Sequence, residues 1–107
     1  MEKKVISLSN MIGKPVTVEH DSNYVYVTQN NEIVHAPLED IVALEKTHTA
    51  LNNRYFWKLD YRVDGATNSV TFRTNTTLWN RNFRRFVDLL KQTNPACVKT
   101  QLRWWNF

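Results

Sequence analysis

Leu78-Trp79-Asn80-Arg81-Asn82-Phe83-Arg84-Arg85-Phe86-Val87-Asp88-Leu89-Leu90 is the stretch whose reading decides the fold. Trp79, Phe83, Phe86, Val87 and Leu90 recur at the spacing of a single helix face. Arg81, Arg84, Arg85, Asp88 and Lys91 fill the remainder. Asn75-Thr76-Thr77 supplies N-cap candidates, Lys91 suits the negative end of the helix dipole, and Asn94-Pro95 ends the pattern. It is the one strongly amphipathic helical segment in the chain, and it follows a long run of strand signals that it can cover.

The upstream run starts at Pro15. Val16 and Val18 alternate with Thr17 and Glu19, the mark of a half-buried strand up to His20. Asp21-Ser22-Asn23 is a turn cluster, and Tyr24-Val25-Tyr26-Val27-Thr28 is a strand of strong β-formers. Gln29-Asn30-Asn31-Glu32 reads as a hairpin loop, because Asn tolerates positive φ. With Asn30-Asn31 at its centre, Val27 pairs with Val34, Val25 with Ala36, and all four face the core. Tyr26 then lies opposite His35 on the other face, with Tyr24 and Ile33 close by. Pro37 ends this hairpin, Leu38 can tuck inward, and Asp40 closes a turn before a strand that starts at Ile41.

Residues 47–54 lack periodicity and read as a longer loop. From Tyr55 to Asp64 the alternation is the clearest in the chain: Tyr55, Trp57, Leu59, Tyr61 and Val63 inward, Lys58, Asp60, Arg62 and Asp64 outward. Gly65-Ala66-Thr67-Asn68 reads as a loop. Matching the apolar faces pairs Tyr61 with Phe72 and Val63 with Val70, and sets Asp60 opposite Arg73 as a cross-strand ion pair.

The two ends are less periodic. In residues 1–14, Val5, Leu8, Met11 and Ile12 have a short helical spacing stopped by Gly13, and a strand or irregular lead-in fits as well. The tail, residues 94–107, closes on Leu102-Arg103-Trp104-Trp105-Asn106-Phe107, which is expected to dock on the domain or on a second subunit.

Strands followed by one amphipathic helix is the layout of a pleckstrin-homology-like barrel. His35-Ala36-Pro37-Leu38-Glu39-Asp40-Ile41 resembles the Pro-Leu-x-Asp-Ile segment of bacterial pleckstrin-homology-like domains. Tyr55-Phe56-Trp57-Lys58-Leu59 through Phe72 resembles their central hairpin, and Phe83 with Phe86-Val87 their capping helix. The resemblance covers about residues 15–93. It implies an α+β domain over residues 1–107, a half-open antiparallel barrel of six to seven strands capped by a C-terminal helix. Bacterial members are taken as protein-interaction or oligomerisation modules. Phosphoinositide-binding relatives use a basic first hairpin loop. Here Asp21-Ser22-Asn23 and Gln29-Asn30-Asn31-Glu32 are acidic or neutral, which argues against that ligand.

Composition narrows the function classes. The chain has 107 residues, enough for one core and too few for two, and 42% hydrophobic residues, enough to fold. Cys97 is the only cysteine, so no internal disulfide can form. That suits a reducing compartment, and with no signal segment or membrane-length apolar run, a cytoplasmic protein is expected. His20, His35 and His48 have no metal-ligand spacing, and no cofactor motif is present. There is no phosphate loop, serine elbow or Cys–His pairing, and the neighbours Glu39 and Asp40 point apart, so no enzyme is expected. A net charge of +4 favours acidic partners, and Arg81, Arg84, Arg85 and Arg103 could contact nucleic acid or an anionic lipid surface. The leading expectation is docking of a protein partner or a second copy through Tyr24, Tyr26, Ile33 and His35, with Trp104, Trp105 and Phe107. The competing expectation is that residues 1–14 cover that second hairpin face.

Overall fold

In a computed structural model, residues 3–11, 14–51, 54–73 and 81–99 are described. The expectations for Asn75–Thr77, Trp79, Arg103, Trp104, Trp105 and Phe107 therefore lie outside the described residues, as does the side chain of His48. The architecture is α+β: seven strands in two antiparallel sheets, then one helix toward the C-terminus.

The first sheet runs β1 (Lys4–Met11), β2 (Lys14–His20), β3 (Tyr24–Gln29) and β4 (Glu32–Pro37), each paired with the next. The lead-in left open between helix and strand is thus β1. It carries an irregularity between Val5 and Ser7 that turns both Ile6 and Ser7 inward, each 0% exposed. The β3–β4 register is the expected one, Val27 with Val34, Val25 with Ala36 and Tyr26 with His35. Asn30 and Asn31 sit at its centre with φ of 54° and 61°. Leu38 tucks into the core through a single helical turn, Leu38–Asp40, and its N–H donates to the Asn23 carbonyl at 3.0 Å.

The second sheet runs β5 (Ile41–Leu51), β6 (Arg54–Val63) and β7 (Ala66–Arg73). Two expectations fail here. Residues 47–51 continue β5 instead of forming a loop; irregular pairing between Lys46 and Ala50 erases the alternation that would have marked them. The β6–β7 register is also displaced. Trp57 faces Phe72, Leu59 faces Val70, and Phe56, not Asp60, faces Arg73. The reason is the turn. Asp64 and Gly65 have φ of 52° and 79° and make a two-residue connection, so Ala66 already belongs to β7. Asp60 instead accepts from the Ser69 hydroxyl and lies 3.8 Å from the Lys58 ammonium.

The inner faces meet in one core. Val16, Val18, Val25, Val27 and Ala36 come from the first sheet, and Leu44, Trp57, Leu59, Tyr61, Val70 and Phe72 from the second. Helix α1 (Arg81–Thr93) buries Phe83, Phe86, Val87 and Leu90, the stripe expected from its spacing. Each such side chain contributes about 2 kcal/mol by leaving water. Phe83 meets Trp57 edge-on at 4.9 Å and Phe72 at 6.2 Å between ring centres.

Polar bonds seat the helix. The Asn82 amide donates to the Val5 carbonyl at 2.9 Å, and the Asn94 amide to the Ile41 carbonyl at 2.7 Å. The Ser7 hydroxyl donates to the Arg73 carbonyl and links β1 to the end of β7. After a turn at Pro95–Cys97, the chain runs beside β5, where Lys99 N–H donates to the Leu44 carbonyl at 3.0 Å. Among the described residues, no strand pairing joins the two sheets into a closed barrel, and no helix is long and apolar enough to cross a membrane.

Candidate functional site

The outer face of the first sheet is built by strand alternation. Residues that oppose one another across the strands place Val5, Glu19, Tyr26 and His35 in one transverse row. Tyr24 lies two residues along β3, opposite Pro37. Ile33 lies two residues along β4 from His35, opposite Thr28. Tyr24 and Ile33 thus flank the Tyr26–His35 pair on the same face, toward opposite ends of the hairpin.

Three rings cluster at one end. Tyr24 and His35 meet nearly perpendicular at 5.4 Å and 82°. Tyr26 lies 6.0 Å from His35 and 6.3 Å from Tyr24, tilted to both. Lys3 reaches this cluster from ahead of β1, its ammonium 4.3 Å from the Tyr26 ring centre.

Asp21 anchors the cluster from below. One carboxylate oxygen accepts the N–H groups of Asn23 and Tyr24, both at 2.8 Å, in an Asx turn. The other accepts the Tyr26 hydroxyl at 2.6 Å. Burial works against ionisation of Asp21, but these three donors outweigh it and hold the carboxyl below its ordinary value. The same bond, with some burial and the Asp21 charge, pushes the Tyr26 phenol up to about 12. Tyr26 is therefore a committed donor to a committed carboxylate.

His20, one residue away, serves the opposite face. It is 3% exposed, 5.3 Å from the Phe86 ring centre, and each ring nitrogen lies 3.2 Å from a carbonyl oxygen, Nδ1 from that of Asp21 and Nε2 from that of Asn82. A neutral ring can donate to only one of them. Burial pushes its pKa down, and the nearby Arg85 charge adds to that.

A cleft of about 460 Å³ lies between the β2–β3 turn and α1 and is lined by Lys4, His20, Asp21, Arg85, Asp88 and Leu89. Of the expected basic residues, Arg81 and Arg85 are exposed on α1, whereas Arg84 is half-buried. Cys97 is buried, and burial pushes its thiol up, away from the reactive thiolate. Among the described residues no group of three His, Cys, Asp or Glu side chains could hold a metal ion.

The structure thus packs the rings of Tyr24, Tyr26 and His35 together and puts Ile33 on the same face, two residues along β4 from His35. Sequence reasoning missed Lys3, Glu19, Asp21 and His20 as members of these sites. Two signals were available. Asp21 opens an Asp-x-Asn turn before Tyr-x-Tyr, and His20 continues the inward period of Val16 and Val18. No protein-family model matches the chain, and no curated protein matches it.

Proposed function

We propose that this chain is a non-catalytic interaction module, folded as a pleckstrin-homology-like half-open barrel, that binds a protein partner or a second copy on the outer face of its first sheet. Four strands, then three, then a helix follow the order of that fold, and the Ser7–Arg73 bond stands where its sheets would meet. One observation carries the binding reading. β1 pairs edgewise with β2 and does not fold over the hairpin, so Ile33 stays 65% exposed and Tyr24 37% exposed beside His35. Exposed apolar and aromatic side chains on a sheet whose other face already fills the core suit a docking surface.

A basic surface for nucleic acid or anionic lipid has less support, because Asp88 lines the same cleft as Arg85. Sedimentation velocity over a wide concentration range tests self-assembly. Association that Ile33→Lys abolishes supports it on this face. Association untouched by both Ile33→Lys and Tyr24→Ala places the interface elsewhere, and a monomer throughout leaves only a different partner.

A further inference from the structure

Building on that docking face, we infer that the Tyr24–Tyr26–His35 cluster receives a cationic side chain, lysine or arginine, from the partner, and that Lys3 is the chain's own occupant of the position.

Four observations converge on a cation. The Lys3 ammonium already lies 4.3 Å above the Tyr26 ring centre, well inside the distance at which a ring quadrupole attracts positive charge. Tyr26 is enriched for that purpose: its hydroxyl donates at 2.6 Å to an ionised carboxylate, which returns electron density to the ring. Two further rings stand 6.0 and 6.3 Å from the Tyr26 ring, so aromatic surface continues beside the one that Lys3 covers. Glu19 lies directly across the strand from Tyr26, so the row also carries a full negative charge. The rings thus stand beside two carboxylates, Glu19 and Asp21, in a chain whose net charge is +4.

Lys3 is a displaceable occupant. It is exposed, and strand pairing begins only at Lys4 with His20, so withdrawing Lys3 breaks no ladder bond. A partner cation would exchange for it on the Tyr26 ring at the cost of one exposed contact. An intramolecular competitor of this kind weakens binding by the stability of its own contact, and its removal should tighten binding about two- to fivefold.

The test uses the full chain and hexalysine and hexaarginine as probes, followed by NMR of the Tyr26 and His35 ring protons. Both peptides should shift those resonances despite the overall positive charge of the chain, and hexaglutamate should not. Lys3→Ala should bind hexalysine about two- to fivefold tighter. Tyr26→Leu should lose the response at the His35 ring, and Tyr26→Phe, which keeps the ring but not the bond to Asp21, should bind more weakly than the parent. Ring resonances that ignore both cationic peptides overturn the inference, as does Lys3→Ala binding with parental affinity. The sedimentation experiment is independent of these probes. Association that depends on Ile33, with no response to hexalysine, removes the cation site and leaves the docking face standing.

Discussion

The two faces of the first sheet are made by the same four strands and obey different physics. On the inner face, Val16, Val18, Val25, Val27 and Ala36 are 5% exposed or less, and they are held by burial, which has no preferred direction. On the outer face, Tyr24, Tyr26 and His35 are held by directed contacts, their ring pairings and above all the Tyr26–Asp21 hydrogen bond. The inner face needs only apolar volume of about the right shape. The outer face keeps large rings in water without collapse because each has a fixed partner. A surface that must bind something else needs that second arrangement.

The inner side should therefore show the largest stability effects. Phe86→Ala and Phe83→Ala each remove a ring that is 0% exposed, with a expected cost of about 3–5 kcal/mol in urea unfolding. A loss below about 1 kcal/mol would mean that the helix is not seated by these rings. Asn94→Ala comes next. Its amide holds the Ile41 carbonyl at 2.7 Å and that of Leu38 at 3.3 Å, and leaving both without it should cost about 1–2 kcal/mol.

The neighbours His20 and Asp21 sharpen the contrast through pH. Both have lowered pKa values, for opposite reasons. His20 is lowered because burial disfavours its charge, whereas Asp21 is lowered, against burial, because its donors favour the charge. Below the ordinary imidazole value of 6.5 the unfolded chain takes a proton that folded His20 resists, so stability falls as pH drops from there. Above it both states are neutral and His20 is without effect. Asp21 contributes stability that is fully present above 3.8 and lost as pH falls through its lower folded value. Urea unfolding across pH should thus show two separate acid-side declines. His20→Gln should flatten the first and leave the second; Asp21→Asn should do the reverse. A parent protein with no change in stability between pH 7 and pH 5 would mean that His20 is not held neutral.

The two hairpins explain how much of this was legible in the sequence. Asn30-Asn31 reads as a turn centre, and the β3–β4 register follows from it to the residue, including Tyr26 opposite His35. Asp64-Gly65 has the same left-handed backbone, but by sequence the loop spans Gly65–Asn68, which displaces the expected β6–β7 register. The slip moved Phe72 from Trp57 to Tyr61, an even number of residues, so every inward side chain stayed inward. Hydrophobic alternation assigns faces; it cannot choose among registers that differ by an even step. Only the turn residues do that. The site suffered from the same limit. Alternation put Tyr26 and His35 on the outer face, but Asp21 acts through its turn and Lys3 through a chain end, and neither carries a periodic signal.

The smallest stability effect belongs to Ile33, and it separates the two faces most cleanly. Ile33 is 65% exposed and lies on β4, which pairs only with β3 among the described residues. Lysine there removes little buried area and is a residue that edge strands commonly carry, so Ile33→Lys should change stability by about 0.5 kcal/mol or less. Its effect on association should be far larger, because a charge placed in a docking face must be desolvated when the partner arrives. A variant that unfolds with the parent but no longer associates assigns the outer face to binding. If Ile33→Lys instead destabilises as much as Phe86→Ala does, the residue is buried in the folded chain, and the outer face is a second core and not a surface.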